Sequence, residues 1–178
     1  MSGKLSRETL VPLLAAHVLE HGLNHASLRP LAKAAGTSDR MLIYHFGSKD
    51  GLVAALLEYL AEMFAAALDT AFPAGRVASR RDCIEQVLAI TAQPAFQPFF
   101  RLWWDIVAGC AAGNRAYLDA AGAIMDLLLG WIEAHLPADD PDPAAAARLV
   151  LTQIEGAQML QAVGRGDIPQ AGLSALQS

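Results

Sequence analysis

At 178 residues, 54% of them hydrophobic, the chain can form one domain or a small domain followed by a larger one. Its formal net charge of −5 gives no support to nucleic-acid binding, and Cys83 and Cys110 lack CxxC spacing, which fits a reduced cytosol better than a disulfide scaffold. No uninterrupted apolar run approaches the ~20 residues of a membrane span, since Asp126 interrupts the longest candidate, 120–132, so we expect a cytoplasmic protein without a membrane partner.

The first predicted helix ends at Gly22, and Pro12 decides where it begins. A start at Thr9 places Pro12 in the first turn, where it costs little, whereas a start at Ser6 makes Pro12 kink the helix. We favour the start at Thr9. His17, His21 and His25 are spaced four apart, as in helical metal sites, but the last lies beyond Gly22 and no cysteine or carboxylate completes a set. We therefore expect solvated or capping histidines, with no metal and no cofactor.

Residues 27–49 have the pattern of two short helices joined by a glycine turn. Ser27 is a favourable N-cap, and Pro30 falls in the first turn, where no hydrogen bond is lost. Gly36 lies just past the first apolar stripe, where a left-handed residue commonly ends a helix. The stripe consists of Leu28, Leu31, Ala32 and Ala35. A glycine turn of four residues, 35–38, is what a helix-turn-helix requires.

The second short helix has an inner and an outer side. Leu42 and Phe46 point back towards the first stripe. The residues left facing outward are Asp39, Arg40, Ile43 and Tyr44. Exposed Ile and Tyr beside Arg are unusual on a solvated surface and suit a helix that enters a DNA groove.

Residues about 7–58 resemble the DNA-binding domain of the tetracycline-repressor (TetR) family of bacterial regulators. The resemblance depends on the Gly36-Thr37-Ser38 turn, on Tyr44-His45-Phe46 at the end of the second helix, and on Ser48-Lys49-Asp50 opening the next. It implies a homodimer that binds a palindromic double-stranded DNA operator, usually as a repressor, is associated with the nucleoid while bound, and is released by a small-molecule effector.

The resemblance and the chemistry of the side chains together suggest roles for individual residues. Phosphate contacts are expected from Ser27, Ser38, Tyr44, His45 and Lys49, all except Tyr44 matched to the motif by position. Arg40 is expected to contact a base edge, and Asp39 could accept a hydrogen bond from a cytosine amino group. Ile43 completes the DNA-facing set. The chain departs from the family at Met41, Ile43 and Asp39, where a small hydroxyl, an aromatic and a neutral or basic residue are usual, so the operator sequence cannot be predicted.

Charge is divided unevenly along the chain. Residues 1–60 hold six basic and five acidic groups, a net of +1, and residues 61–178 hold seven and thirteen, a net of −6. A nearly neutral DNA-binding domain predicts modest, salt-sensitive binding. Together with Asp39 it also leaves an alternative open: a helical small-molecule-sequestering or interaction module without specific DNA binding.

The rest of the chain predicts helices and nothing else. A long helix opens at Ser48 and Asp50 and ends near 72–75, followed by helices at about 79–92, 95–111, 115–136 and 143–163 and a short one at 169–176. The predicted fold is all-α, with a three-helix helix-turn-helix domain at 1–50 and a larger ligand-binding and dimerisation domain at 51–178. There is no P-loop, GxSxG or HExxH motif, so we expect no enzymatic activity.

Helix 95–111 is apolar over most of its circumference, which predicts cover on two sides, one of them a ligand pocket or another subunit. Core packing of these large residues is the alternative. The predicted pocket residues are Met63, Phe99, Phe100, Trp103, Trp104 and Asp105.

Helices 115–136 and 143–163 are rich in small residues, which permit close helix contact. They predict a four-helix interface between two subunits, with an intramolecular core as the alternative for part of the surface. The predicted interface residues are Ala121, Ile124, Leu128, Trp131, Leu149, Ile154, Gly156 and Leu160.

Overall fold

The computed structural model describes residues 6–23, 27–72 and 75–175. Within these residues the chain forms nine α-helices, a 3-10 helix at Pro94–Phe96 and no β-strand, so the predicted all-α fold is confirmed. The helices are α1 (Arg7–His21), α2 (Leu28–Ala34), α3 (Asp39–Phe46), α4 (Lys49–Ala71), α5 (Arg80–Thr91), α6 (Gln97–Ala111), α7 (Arg115–His135), α8 (Pro143–Ala162) and α9 (Asp167–Ala175).

Helix α1 begins earlier than predicted, because Ser6 and not Thr9 is its N-cap. The Ser6 amide donates to the Thr9 hydroxyl at 2.9 Å, and that hydroxyl donates to the Ser6 carbonyl at 3.0 Å. This reciprocal pairing stabilises the first turn. The predicted start at Thr9 is therefore wrong, and Pro12 lies inside the helix, where it removes one backbone hydrogen bond.

The chain divides into two compact units, which we describe separately. Unit 1 comprises Met1–Phe64 and Ala95–Ile124. Its hydrophobic core joins α1, α2 and α3 to the first part of α4 and to α6. The central side chains are Leu10, Leu14, Val18, Leu31, Leu42, Leu52, Leu56, Leu102 and Ile106. Helices that precede and follow the predicted boundary at residue 50 therefore share one core, and that boundary stays a prediction.

Unit 2 comprises Ala65–Pro94 and Met125–Ser178, and its main packing is between α5 and α8. Two of its buried polar side chains, Thr91 and Gln158, form hydrogen bonds within the unit. Gln158 of α8 donates to the Thr91 hydroxyl at 3.4 Å, and Thr91 donates to the carbonyl of Val87 at 2.8 Å. Arg80 forms two hydrogen bonds with Asp140, at 2.6 and 2.7 Å, which attach the start of α5 to the segment that precedes α8.

Among the described helices, α4 is long and apolar enough to cross a membrane by length and composition, with a mean hydropathy of 1.7 over its best window. The longest apolar candidate in the sequence analysis was 120–132. In α4, Glu58 and Glu62 interrupt the apolar sequence but lower its mean hydropathy only slightly. Leu52, Leu56 and Leu57 of this helix are buried in unit 1. Core helices of globular proteins have the same composition, so α4 alone does not indicate a membrane protein.

Candidate nucleic-acid interface

The turn between α2 and α3 has the geometry that the sequence predicts. Gly36 has a φ of +63°, a left-handed conformation that favours glycine, and Thr37 donates its amide to the carbonyl of Ala32 at 2.9 Å. Ser38 caps α3 and accepts from the amide of Met41 at 3.3 Å. Because a hydroxyl also has a proton to donate, Ser38 can cap the helix and still donate to a phosphate.

Ser27 is the N-cap of α2, but its hydroxyl makes no capping hydrogen bond. This corrects the sequence expectation. An N-cap hydroxyl normally accepts from the second or third amide of the helix, and the third residue here is Pro30, which has no N–H. Ser27 is exposed, so its hydroxyl is accessible to a phosphate.

Helix α3 has the predicted inner and outer sides. Leu42 is fully buried and Phe46 is 8% exposed, and both belong to the core of unit 1. Tyr44 is 78% exposed, and Arg40 is exposed as well. The inner residues hold the helix while the outer ones remain available for contact. Asp39 also faces solvent, whereas Ile43 is half-buried.

The predicted phosphate contacts at the end of α3 differ in access. Lys49 is exposed at the start of α4. His45 is half-buried, and its Nε2 is a buried atom without a hydrogen-bond partner. Any contact from His45 to a phosphate would therefore have to use Nδ1. The Tyr44 and His45 rings meet edge to face, with centroids 5.2 Å apart.

Two further residues position α3, and sequence reasoning missed both. A Cβ added to Gly51, in the first turn of α4, would overlap the carbonyl oxygen of Phe46, so only glycine permits this close approach. The Arg7 guanidinium lies 5.8 Å from the centroid of the Phe46 ring, a cation–π contact from α1. A glycine three residues after the capping Ser48 was the available signal for the first of them.

Local charge favours an anionic partner. Residues 27–49 carry four basic side chains and one acidic side chain, a net of +3, although the whole chain has a net charge of −5. All five are exposed: Arg29, Lys33, Asp39, Arg40 and Lys49. The helix-turn-helix segment therefore has the sign of charge that attracts phosphates.

Residues 15–56 match the sequence profile of bacterial regulatory proteins of the tetR family, a range that contains all of α2 and α3. The matched segment is similar to the DNA-binding region of that family. This confirms the resemblance over the matched range, in which α2 and α3 form a helix-turn-helix of the kind that DNA-binding regulators use. No curated protein matches it in sequence.

Solved structures of regulators share the fold of this chain over nearly its whole length. A transcriptional regulator from Rhodococcus sp. Rha1 has a TM-score of 0.66 and 22% identity, over 95% of this chain and 92% of that one. A protein named as a TetR-family transcriptional regulator from Rhodococcus sp. has a TM-score of 0.71 and 20% identity, over 96% of both chains. The multidrug binding protein EbrR, solved in complex with imidazole, has a TM-score of 0.66 and 20% identity, over 96% and 88%. At these identities the likeness establishes the fold.

The residues predicted to line an effector pocket are all half-buried: Met63, Phe99, Phe100, Trp103, Trp104 and Asp105. The Phe64 ring meets Phe99 and Phe100 edge to face, with centroids 5.5 and 6.1 Å apart. Asp105 accepts a hydrogen bond from the amide of Leu23, just beyond α1, at 3.2 Å. These contacts favour core packing for the two phenylalanines and a structural role for Asp105, and their part in ligand binding stays a prediction.

Seven of the eight predicted interface residues keep accessible surface in the single chain: Ala121, Ile124, Leu128, Trp131, Leu149, Gly156 and Leu160. The eighth, Ile154, is 4% exposed and lies in the core of its own subunit. For this residue the structure fits the alternative of an intramolecular core. Trp131 also makes contacts within the chain, since its ring stacks on His135 at 4.0 Å and its N–H donates to Asp69 at 3.3 Å.

The histidines of α1 have internal partners. The rings of His17 and His21 stack with centroids 4.3 Å apart, and His21 Nδ1 donates to the carbonyl of His17 at 2.9 Å. His25 lies outside the described residues. Within the part of the chain that the structure describes, no group of three or more His, Cys, Asp or Glu residues could hold a metal ion.

Proposed function

We propose that this chain is a homodimeric repressor that binds a palindromic operator through α3 of each subunit and dissociates when a small molecule binds. The observation that supports DNA contact is the outer side of α3, where Tyr44 is 78% exposed beside Arg40. Leu42 and Phe46 hold the same helix from the inside, so the outer side chains are presented on a fixed scaffold.

Each exposed residue has a distinct task in this proposal. Ser27, Ser38, Tyr44 and Lys49 donate to phosphates and set the register of the protein on the duplex. Arg40 reads a base edge, and bidentate contact with guanine is worth ~1–3 kcal/mol of discrimination. Two copies of α3 enter successive major grooves when they lie about 34–36 Å apart.

Apolar side chains on one side of α8 support the dimer. Leu149, Met159 and Val163 are 49%, 48% and 65% exposed. At about 100° per residue they fall within roughly 80° of helix circumference. A row of exposed apolar residues on one side marks an interaction surface more often than scattered single residues do.

A charge placed in this row tests the dimer. Leu149→Glu should convert the dimer to a monomer in sedimentation equilibrium, because a carboxylate buried without a partner is costly. Gln161→Glu is the control, since Gln161 is exposed on the opposite side of α8 and should leave the dimer intact. Two variants that sediment alike would place the interface elsewhere.

Lys49→Ala tests DNA contact and symmetry together. After selection of an operator from genomic fragments, fluorescence anisotropy at several salt concentrations gives the slope of log affinity against log salt. Each lost phosphate contact lowers its magnitude by ~0.9, so a dimer that loses two contacts should lose about 1.8. Arg115→Ala is the matched control, because Arg115 is 87% exposed on α7, outside the proposed interface with DNA. A slope that changes no more than in the control contradicts the role of Lys49.

Release by an effector requires that the small molecule bind the DNA-free conformation more tightly, and affinity for the operator then falls by that ratio. Structural likeness to EbrR, a multidrug binding protein, supports small-molecule binding. The exposed Asp39 favours the other candidate, a sequestering module without specific DNA binding. That candidate predicts no specific mobility shift with any selected fragment at low salt.

A further inference from the structure

An apolar cleft of about 370 Å³ lies within unit 2, between α9 and the facing parts of α5 and α8. Ile84 of α5 and Leu160 of α8 form one side, and Ile168 and Leu173 of α9 form the other. Ile168 is 41% exposed, so a molecule in the cleft would cover apolar surface that now faces solvent.

Two glycines keep this space open. Gly156 of α8 and Gly172 of α9 both line the cleft, and a Cβ added to either would meet no atom within 4 Å. Neither has a positive φ. An interior helical glycine costs about 1 kcal/mol relative to alanine. Neither the backbone conformation nor a neighbouring atom requires glycine at these two positions. Their effect is to leave the cleft free of side-chain atoms.

The lining defines the chemistry of an occupant. Among the described residues that line the cleft, Gln153 has the one polar side chain and none is charged. A charged ligand would therefore be buried without a counterion, which is unfavourable. A neutral, largely apolar molecule with at most one hydrogen-bonding group matches this surface.

The volume of the cleft is that of a small-molecule site. Ligand pockets commonly measure ~300–1,000 Å³. The cleft falls within this range, so its size matches a compact small molecule.

We propose that this cleft binds a small, neutral, apolar molecule, and that the site is separate from the aromatic residues of α6, which belong to unit 1. Its role as the effector site depends on the proposed repressor function. Binding itself does not, and can be tested without DNA.

The probe is N-phenyl-1-naphthylamine, a neutral apolar fluorophore, titrated into the full chain. We expect saturable binding of one molecule per subunit. Its sulfonated analogue, 8-anilino-1-naphthalenesulfonate, should bind about tenfold more weakly or worse, because its charge finds no partner in the cleft. Gly156→Leu and Gly172→Leu fill the space from opposite walls, and each should weaken binding of the neutral probe about tenfold or more.

Ala162→Leu is the matched control, since it adds a side chain to an exposed position of α8 that does not line the cleft, and affinity should stay within about twofold. Circular dichroism verifies that each variant is folded, and the two glycine positions lie on different helices, so one unstable variant does not remove the test. Unchanged probe affinity in a folded variant, equal affinity for the sulfonated analogue, or a Gly156→Leu variant whose oligomeric state changes in sedimentation would each overturn the proposal.

A mobility shift with the selected operator separates this site from the repressor function. If the neutral probe binds in the cleft but leaves operator affinity unchanged, the effector role is overturned and the binding site stands. If no operator is found, the repressor function fails while the probe titrations remain valid.

Discussion

The effect of Gly51→Ala on stability measures the contact between α3 and α4. The added Cβ overlaps the carbonyl oxygen of Phe46, a backbone atom that cannot rotate away, and the Phe46 side chain is held in the core at 8% exposure. Overpacking of this kind costs ~1–3 kcal/mol. Alanine recovers up to about 1 kcal/mol through helix propensity. The free energy of unfolding should therefore fall by about 1 kcal/mol.

Gly156→Ala makes the same chemical change without the overlap. No atom lies within 4 Å of its added Cβ, so the propensity gain remains and the variant should be more stable than the parent by up to about 1 kcal/mol. The two variants then differ by ~2 kcal/mol. For a chain of this size, 1 kcal/mol corresponds to roughly 2–4 °C in Tm. Thermal unfolding followed by circular dichroism should separate them by about 4–8 °C.

The sign of the two shifts is the decisive result. A Gly51→Ala variant that gains stability as Gly156→Ala does would show that α4 does not approach Phe46 so closely, and the account of how α3 is positioned would be wrong. Operator affinity provides a second readout, because moving the end of α3 should weaken DNA binding in Gly51→Ala.

Two other outcomes follow from buried groups. Hydrogen bonds from Arg80 hold the pKa of Asp140 below its ordinary value of 3.8, and the Asp140 side chain is 3% exposed. The charged form of Asp140 therefore stabilises the fold above pH 3.8. This contribution to stability disappears as the pH falls through the lowered pKa. In urea unfolding, Asp140→Asn should be less stable than the parent at pH 7, with the difference shrinking below pH 3.8; a difference independent of pH would contradict this. Burial raises the pKa of Cys83 to about 11, so iodoacetamide at pH 8 should label the half-buried Cys110 first. Mass spectrometry of peptides would measure the labelling of each cysteine. Equal labelling of both would contradict the burial of Cys83.

The sequence predicted best where a local signal decides the structure. Gly36 had to end α2 because few other residues adopt a positive φ, and the spacing of Leu42 and Phe46 determined which side of α3 faces inward. The start of α1 was predicted wrongly because Ser6 and Thr9 are both suitable caps, and the choice depends on how their two hydroxyl groups pair.

Contacts between distant segments could not be predicted in this way. Gly51 resembles any other helical glycine until the position of Phe46 is known, and Gly156 suggested close helix packing although within the described chain it borders open space. The hydrogen bond from Leu23 to Asp105 joins residues 82 apart in sequence. Its geometry depends on the packing of α6 in unit 1, which helical periodicity does not specify.

The shared core of unit 1 affects how mutants would be interpreted if the chain is the proposed repressor. Leu102 and Ile106 of α6 lie in the same hydrophobic cluster as Leu31 of α2 and Leu42 of α3. A mutation that shortens either α6 side chain weakens the hydrophobic packing that supports α3. The exposed side chains of α3 stay unchanged. Under the proposed repressor function, such a variant would lose operator binding because α3 is poorly supported, although its effector site is unchanged.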